Sequence, residues 1–123
     1  MQEAINEVAD LLPGKLVIDP SNPSSVAGDG TFTRTLREGQ SSGELVASLI
    51  PPGTRFVKAF GSIAGTLLAS NARRTPKRAV LFYATDHATA ATEVERLIRI
   101  AGFDAMRAGG VTASARTEVG GDL

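Results

Sequence analysis

One cation stands between two phenylalanines in Arg55-Phe56-Val57-Lys58-Ala59-Phe60, and a Gly61-Ser62 turn follows at once. Read as a strand, the stretch alternates: Phe56, Lys58 and Phe60 share one face, Val57 and Ala59 the other. Ligands of open α/β sheets gather outside the carboxyl ends of strands. A strand that hands over through a glycine to a helix near Ser62 is therefore a natural site element. An ammonium in this setting either runs its stem along apolar neighbours to water or points at an anion, and the pattern alone favours the former.

Two acids and a histidine are also singled out by position. Asp19 closes the run Leu16-Val17-Ile18-Asp19 and could serve as the acid that holds a ribose in a dinucleotide fold. That role needs a G-x-G-x-x-G upstream. The sequence offers only Gly28-Asp29-Gly30, with Thr33 in the third glycine's place and no helix opening behind it. Asp19 therefore reads as the cap of the Pro20-Ser21-Asn22-Pro23 turn. Asp86 and His87 are adjacent, so their side chains diverge at a helix start, and no Ser/His/Asp constellation emerges. His87, beyond the end of a strand, either reaches a ligand or sits part-exposed in a first helical turn; the second fits better.

Composition removes several chemistries. With no cysteine and one histidine, there is no disulfide, no thiol nucleophile and almost no means of building a structural zinc site. Lys and Arg total 13, Asp and Glu total 13, and tryptophan is absent, so neither a basic field nor a stacking stripe points to nucleic acid or an anionic membrane. No apolar run approaches the ~20 residues that span a bilayer, and Met1-Gln2-Glu3-Ala4 does not start a signal segment. A cytoplasmic chain without nucleic-acid or membrane partners is expected. Its 123 residues suit a single domain.

The elements that must position the candidates follow from periodicity. Ala4, Ile5, Val8, Leu11 and Leu12 predict a helix over 2–12, stopped by Pro13-Gly14. Residues 16–19 predict a strand buried on both faces. Residues 24–40 read as an irregular loop in which 31–36 could pair weakly. Ser41-Ser42-Gly43-Glu44 has capping-box form ahead of Leu45, Val46, Leu49 and Ile50, and Pro51-Pro52-Gly53 ends that helix. After the 55–60 strand comes a short helix with Ile63, Leu67 and Leu68 inward. Arg73-Arg74-Thr75-Pro76-Lys77-Arg78 then reads as a solvated turn. Residues 79–84 form the strongest strand, and Thr85 or Asp86 caps a helix running to Ala101 before Gly102. A last strand over 103–108 and a helical turn within 111–123 complete the order. Alternation of this kind predicts an α/β fold with a mostly parallel four-stranded sheet, flanking helices and right-handed crossovers.

Four segments occur in order and spacing: Lys15-Leu-Val-Ile-Asp-Pro-Ser-Asn-Pro23, Phe56-Val-Lys-Ala-Phe60, Phe82-Tyr-Ala-Thr-Asp86 and Ala101-Gly-Phe-Asp104. Together they resemble the NADP-dependent deazaflavin (coenzyme F-420) reductase family. They are also similar to the cytoplasmic oxidoreductase domain of the six-transmembrane metalloreductases. Ala115-Arg-Thr-Glu118 and Gly120-Gly-Asp-Leu123 resemble the same family's closing segment.

The resemblance implies a Rossmann domain that binds NADP(H) and lays a deazaflavin or flavin ring against the nicotinamide for hydride transfer. It places Ser21, Asn22 and Pro23, with Lys58, Ala59 and Phe60, along the cleft where the rings meet, and Gly61 and Ser62 belong to the same wall. Thr85 and Asp86 match a loop that usually reads Gly-Asp-Asp, and Gly109 and Gly110 lie near the deazaflavin-side wall. Gly61 stands where the family commonly has Asn. The family's glycine-rich first strand-loop-helix and its NADP-selecting basic residues have no counterpart here. The resemblance thus implies the second half of a Rossmann-like domain. Such a chain is either a truncated or split oxidoreductase completed by a partner, or a non-catalytic oligomerising or ligand-binding α/β module. In both cases strand 16–19 becomes an apolar sheet edge. It is expected to be covered by a second copy in a homodimer, by a separate chain, or by rearrangement of residues 1–12 or 24–40.

Overall fold

The computed structural model describes residues 1–123. In chain order its elements are α1 (Gln2–Val8), β1 (Leu16–Asp19), β2 (Ser24–Val26), β3 (Phe32–Arg34), α2 (Ser42–Leu49), β4 (Arg55–Ala59), α3 (Gly65–Asn71), β5 (Val80–Ala84), α4 (Ala88–Ile100) and β6 (Asp104–Gly109). The main sheet runs β1-β4-β5-β6. β1 pairs with β4 in parallel, with Asp19 beside Lys58, and β5 pairs with β6 in parallel. The sheet is mostly parallel, as the sequence predicts.

The central pairing departs from that expectation. β4 and β5 are antiparallel, with Lys58 opposite Ala84 and Ala59 opposite Tyr83. Residues 60–79 join the two strands through the seven-residue α3 and the Arg73–Arg78 turn, and the chain re-enters the sheet from the end at which β4 left it. As a result Thr85, Asp86 and the end of β6 lie beside the amino half of β4, away from its carboxyl end.

The predicted alternation along β4 holds. Val57 and Ala59 join Leu81 and Tyr83 on one face and pack against Ala90, Val94 and Ile98 of α4, with Phe103 closing the cluster. Each large side chain fully buried there contributes roughly 1.5–3 kcal/mol relative to exposure. Phe56 lies on the other face with Ile5 of α1 and Val46 of α2. The segment Val111–Thr117, a 3-10 helix, crosses this second face and fulfils the helical turn expected in the tail. The result is a layer of α4, the sheet, and a layer of α1, α2 and the tail.

Three further expectations change. The helix over 2–12 is α-helical only to Val8 and tightens into a 3-10 turn at Ala9–Leu11. The 24–40 loop contains an antiparallel hairpin, in which β2 pairs with β3 and Asp29 accepts the Thr31 N–H at 2.9 Å. The helix expected near Ser62 starts at Gly65, and Leu67 faces solvent rather than the core. β1 has β4 as its one strand neighbour, and neither residues 1–12 nor 24–40 pair with its outer edge. No helix is long and apolar enough to cross a membrane.

Candidate functional site

α2 starts on Ser41, whose hydroxyl accepts the Glu44 N–H at 3.3 Å. The remaining free donors of that helix start are met by a distant acid. Glu118 accepts from the Gly43 N–H at 2.9 Å, from the Ser42 N–H at 3.3 Å, and from the hydroxyls of Ser41 and Ser42 at 2.8 and 3.0 Å. An acid is the right group here, because unsatisfied N–H groups and the helix dipole both favour negative charge. Burial pushes the Glu118 carboxyl up, but the hydrogen bonds from Gly43, Ser41 and Ser42 outweigh it and hold the group below the usual carboxylate range.

Lys58 lies directly beneath. It does not reach water, contrary to the expectation from its pattern: it is 1% exposed. Its ammonium is 2.8 Å from Asp19 Oδ2 and 3.9 Å from Glu118 Oε1, and it donates to the Ser42 hydroxyl at 3.0 Å and to the Ser21 carbonyl. The parallel register of β1 and β4 sets Asp19 beside Lys58, so the anion comes from the chain itself. Asp19 also accepts the Ser21 N–H at 2.9 Å, which is the turn-capping role its sequence position predicts. Arg34 of β3 closes the cluster from outside, 3.5 Å from Glu118 Oε2, and donates to the Val119 carbonyl at 2.8 Å.

This buried cluster fixes the walls of a cleft of about 850 Å³ at the carboxyl ends of β1 and β4. Asn22, Phe32, Phe60, Gly61, Ser62 and the segment 117–121 line it. Asn22 is the brace. Its amide nitrogen donates to the Gly61 carbonyl at 2.9 Å, and its oxygen accepts the Val119 N–H at 2.9 Å. Phe60 takes a left-handed conformation, φ 66°, which for a bulky residue stores about 1–3 kcal/mol and persists where surroundings over-determine it. The Gly61 backbone passes so close that a Cβ there would lie 3.2 Å from the Pro20 carbonyl. A larger side chain there would crowd that contact. The Ser62 hydroxyl is buried and has no partner in the protein. No Lys, Arg or His lines the cleft.

The residues predicted for the site fall into separate places. Asn22, Phe60, Gly61 and Ser62 meet in this cleft. Ser21 and Pro23, together with Asn22, line a second groove of about 450 Å³ beside Leu45 and Leu49 of α2. Lys58 lies under both, and Ala59 is in the core. Thr85, Asp86 and Gly109 are grouped beside the amino half of β4. Thr85 donates its hydroxyl to the Phe56 carbonyl at 2.6 Å and its N–H to the Gly109 carbonyl at 3.1 Å. Asp86 accepts the Val111 N–H at 3.0 Å. His87 is the residue before the first turn of α4 and is exposed. The antiparallel entry of β5 is what separates the two groups. Sequence spacing did not single out Glu118, Ser42 or Arg34, because no local pattern ties residue 118 to a helix start 75 positions away. No group of three or more His, Cys, Asp or Glu side chains is placed to hold a metal ion.

No protein-family model matches the chain, and no curated protein matches it. Solved structures do. A hypothetical protein from Sinorhizobium meliloti matches with a TM-score of 0.76 and 26% identity, over 98% of this chain and 58% of that one. A protein from Arthrobacter sp. FB24, provisionally described as an F-420-dependent NADP reductase, matches with a TM-score of 0.71 and 25% identity, over 85% of this chain and 47% of that one. The chain thus spans about half the length of these two solved proteins, and its fold is a Rossmann-like fragment.

Proposed function

We propose that residues 1–123 are one α/β unit of an NADP/deazaflavin-type oxidoreductase, the part that holds a deazaflavin or flavin ring. Hydride transfer between NADP(H) and that ring would take place once a partner supplies the nucleotide side. The observation that carries this reading is the cleft between Asn22, Phe60 and Ser62. It has aromatic side chains, an unpartnered buried hydroxyl and no cation in its wall. That combination suits an uncharged planar ring with a polar edge. The likeness to the Arthrobacter protein supports the same ligand class.

The residues present fit the ring and do not fit the phosphates of NADP. A pyrophosphate needs a glycine-rich loop opening a helix, and the sequence has none. The ring, when bound, supplies the hydride chemistry. The protein's share is narrower. The half-buried Phe60 excludes water, the exposed Phe32 offers an apolar face at the rim, the doubly bonded Asn22 keeps the strand end and the tail in register, and the Ser62 hydroxyl is free to bond the ring's polar edge. The open side of β1 is the natural place for a second copy or a completing chain to pair. A homodimer and a cytoplasmic setting belong to this reading.

A second reading is a ligand-holding module without turnover. The separation of Thr85, Asp86 and Gly109 from the cleft favours it. Fluorescence titration with oxidised deazaflavin and, separately, with NADPH decides between them. The first reading expects deazaflavin to bind and NADPH to bind only after a partner is added. Deazaflavin binding with no reduction by NADPH under any pairing leaves the second. Binding of neither ligand overturns the ring-holding reading and favours a non-catalytic oligomerising module.

A further inference from the structure

The hairpin of β2 and β3 is bonded within itself and not to the body it grows from. β2 pairs with β3, and the Ala27 N–H donates to the Thr31 carbonyl at 2.9 Å. The Gly30 N–H donates to the Ala27 carbonyl at 2.9 Å, and Asp29 caps the tip. Residues 25–33 have no hydrogen-bond or ion-pair partner outside 24–34. All nine are exposed, Val26 at 60% and Phe32 at 65%. These two large apolar side chains are register partners, so they lie side by side on one face of the hairpin.

The root, by contrast, is fixed. Pro23 is buried and its carbonyl accepts the Thr35 N–H at 2.7 Å, while the Asn22 carbonyl accepts the Ser24 N–H at 2.8 Å. On the returning strand, Arg34 donates to the Val119 carbonyl at 2.8 Å and to the Gln40 carbonyl at 2.6 Å. An arm with a firm root, internal bonding and few buried contacts can turn as a unit, and lids are drawn from such segments. This arm borders the cleft: Ser24 and Phe32 line it together with Phe60 and Ser62. Phe32 is thus a cleft residue with most of its side chain in water. A site that holds a small ligand covers about 70–90% of its surface, and here one wall is an exposed hairpin.

We infer that residues 24–34 form a lid, turning between Pro23 and Arg34, that lays Phe32 over a planar ligand held against Phe60. Closure takes the Phe32 side chain out of water only when a ligand is there to receive it, and that difference in burial biases the closed state. This rests on the ring-holding reading and adds how the ring is enclosed and which residue encloses it. An aromatic face on each side favours a flat aromatic ring over a saturated one. Because the cover forms after entry, Phe32 governs release more than association.

The test measures both rates and the lid itself. In stopped-flow, Phe32→Ala should release oxidised deazaflavin about tenfold faster than the unaltered chain, with association little changed. Phe32→Tyr, which keeps the aromatic face, should release at the unaltered rate. The exposed position leaves the core untouched by either change. Amide hydrogen exchange on the full chain is compared free and saturated with the same ligand. Amides 26–32 are expected to exchange faster than those of β4 in the free protein and to slow about tenfold on saturation. Unchanged release in Phe32→Ala, or exchange at 26–32 that saturation does not slow, overturns the lid and leaves the ring site standing. Failure of deazaflavin to bind overturns the ring site and the lid together.

Discussion

At the amino end of β4, Arg55 meets Glu93 of α4 at 2.8 Å, with side chains 28% and 50% exposed. Three residues on, Lys58 meets Asp19 at the same 2.8 Å, with side chains 1% and 3% exposed. The geometry is alike and the physics is not. The outer pair competes with water and salt and holds little. The inner pair lies in a low-dielectric pocket, where each charge would be ruinous alone and is tolerable only with every partner in place. The comparison teaches that the carboxyl end of β4 is a fixed scaffold. β1, α2, the hairpin and the tail are tied to one ammonium and one carboxylate there, and the cleft stands on that base. The amino end has no equivalent.

The sharpest way to break the comparison is to delete the inner cation. Lys58→Ala leaves Asp19 and Glu118 buried beside each other's field, and a loss of about 3–5 kcal/mol in denaturant-unfolding free energy is expected. Next comes Glu118→Gln, which removes the charge from the α2 start but keeps much of the shape. About 1–3 kcal/mol should be lost. The same carboxyl sets a pH signature. Its folded value lies below the ordinary one, so its contribution is present above the ordinary value and disappears as pH falls through the folded value. Thermal midpoints measured against pH should therefore fall on the acid side, and in Glu118→Gln that fall should be shallower.

Smaller effects belong to the α4 face. Tyr83, buried in the core, donates its hydroxyl to Glu95, and burial together with that acid pushes the phenol up to about 12 from 10.0. Its stabilisation is intact below the unfolded phenol's range and is lost as pH rises through about 12. Tyr83→Phe should cost about 0.5–1.5 kcal/mol and remove that alkaline dependence. The smallest effect is at the outer pair. Glu93→Ala should cost less than about 1 kcal/mol, and nothing measurable at high salt. If Glu93→Ala proved as damaging as Lys58→Ala, the distinction between the two ends of β4 would collapse.

The elements themselves were largely legible because each is written locally. Pro51 stops α2, alternation marks β4, and the apolar stripe Ala91, Val94 and Ile98 marks α4. The direction of β5 was not, because helix–strand alternation is the same whether the chain returns or turns back. The fate of Lys58 was not legible either. Side-chain alternation gives the face, but the partner depends on which strand lies alongside and in what register, and Asp19 is 39 residues away. Glu118 is the extreme case, since the helix it caps lies 75 residues earlier. Within the site, Asn22 and Phe60–Ser62 could be named from strand-end position and the resemblance. Their separation from Thr85, Asp86 and Gly109 follows from topology alone.

The central claim is that the ring lies at the carboxyl ends of β1 and β4. Backbone amide chemical-shift mapping on the full chain, with oxidised deazaflavin added stepwise, tests it most directly. The account predicts saturable shifts at Phe60, Gly61, Ser62, Gly65 and 117–121, with Thr85, Asp86 and Gly109 unmoved. Shifts centred on Thr85, Asp86 and Gly109, or no saturable shifts at Phe60–Ser62, would contradict it.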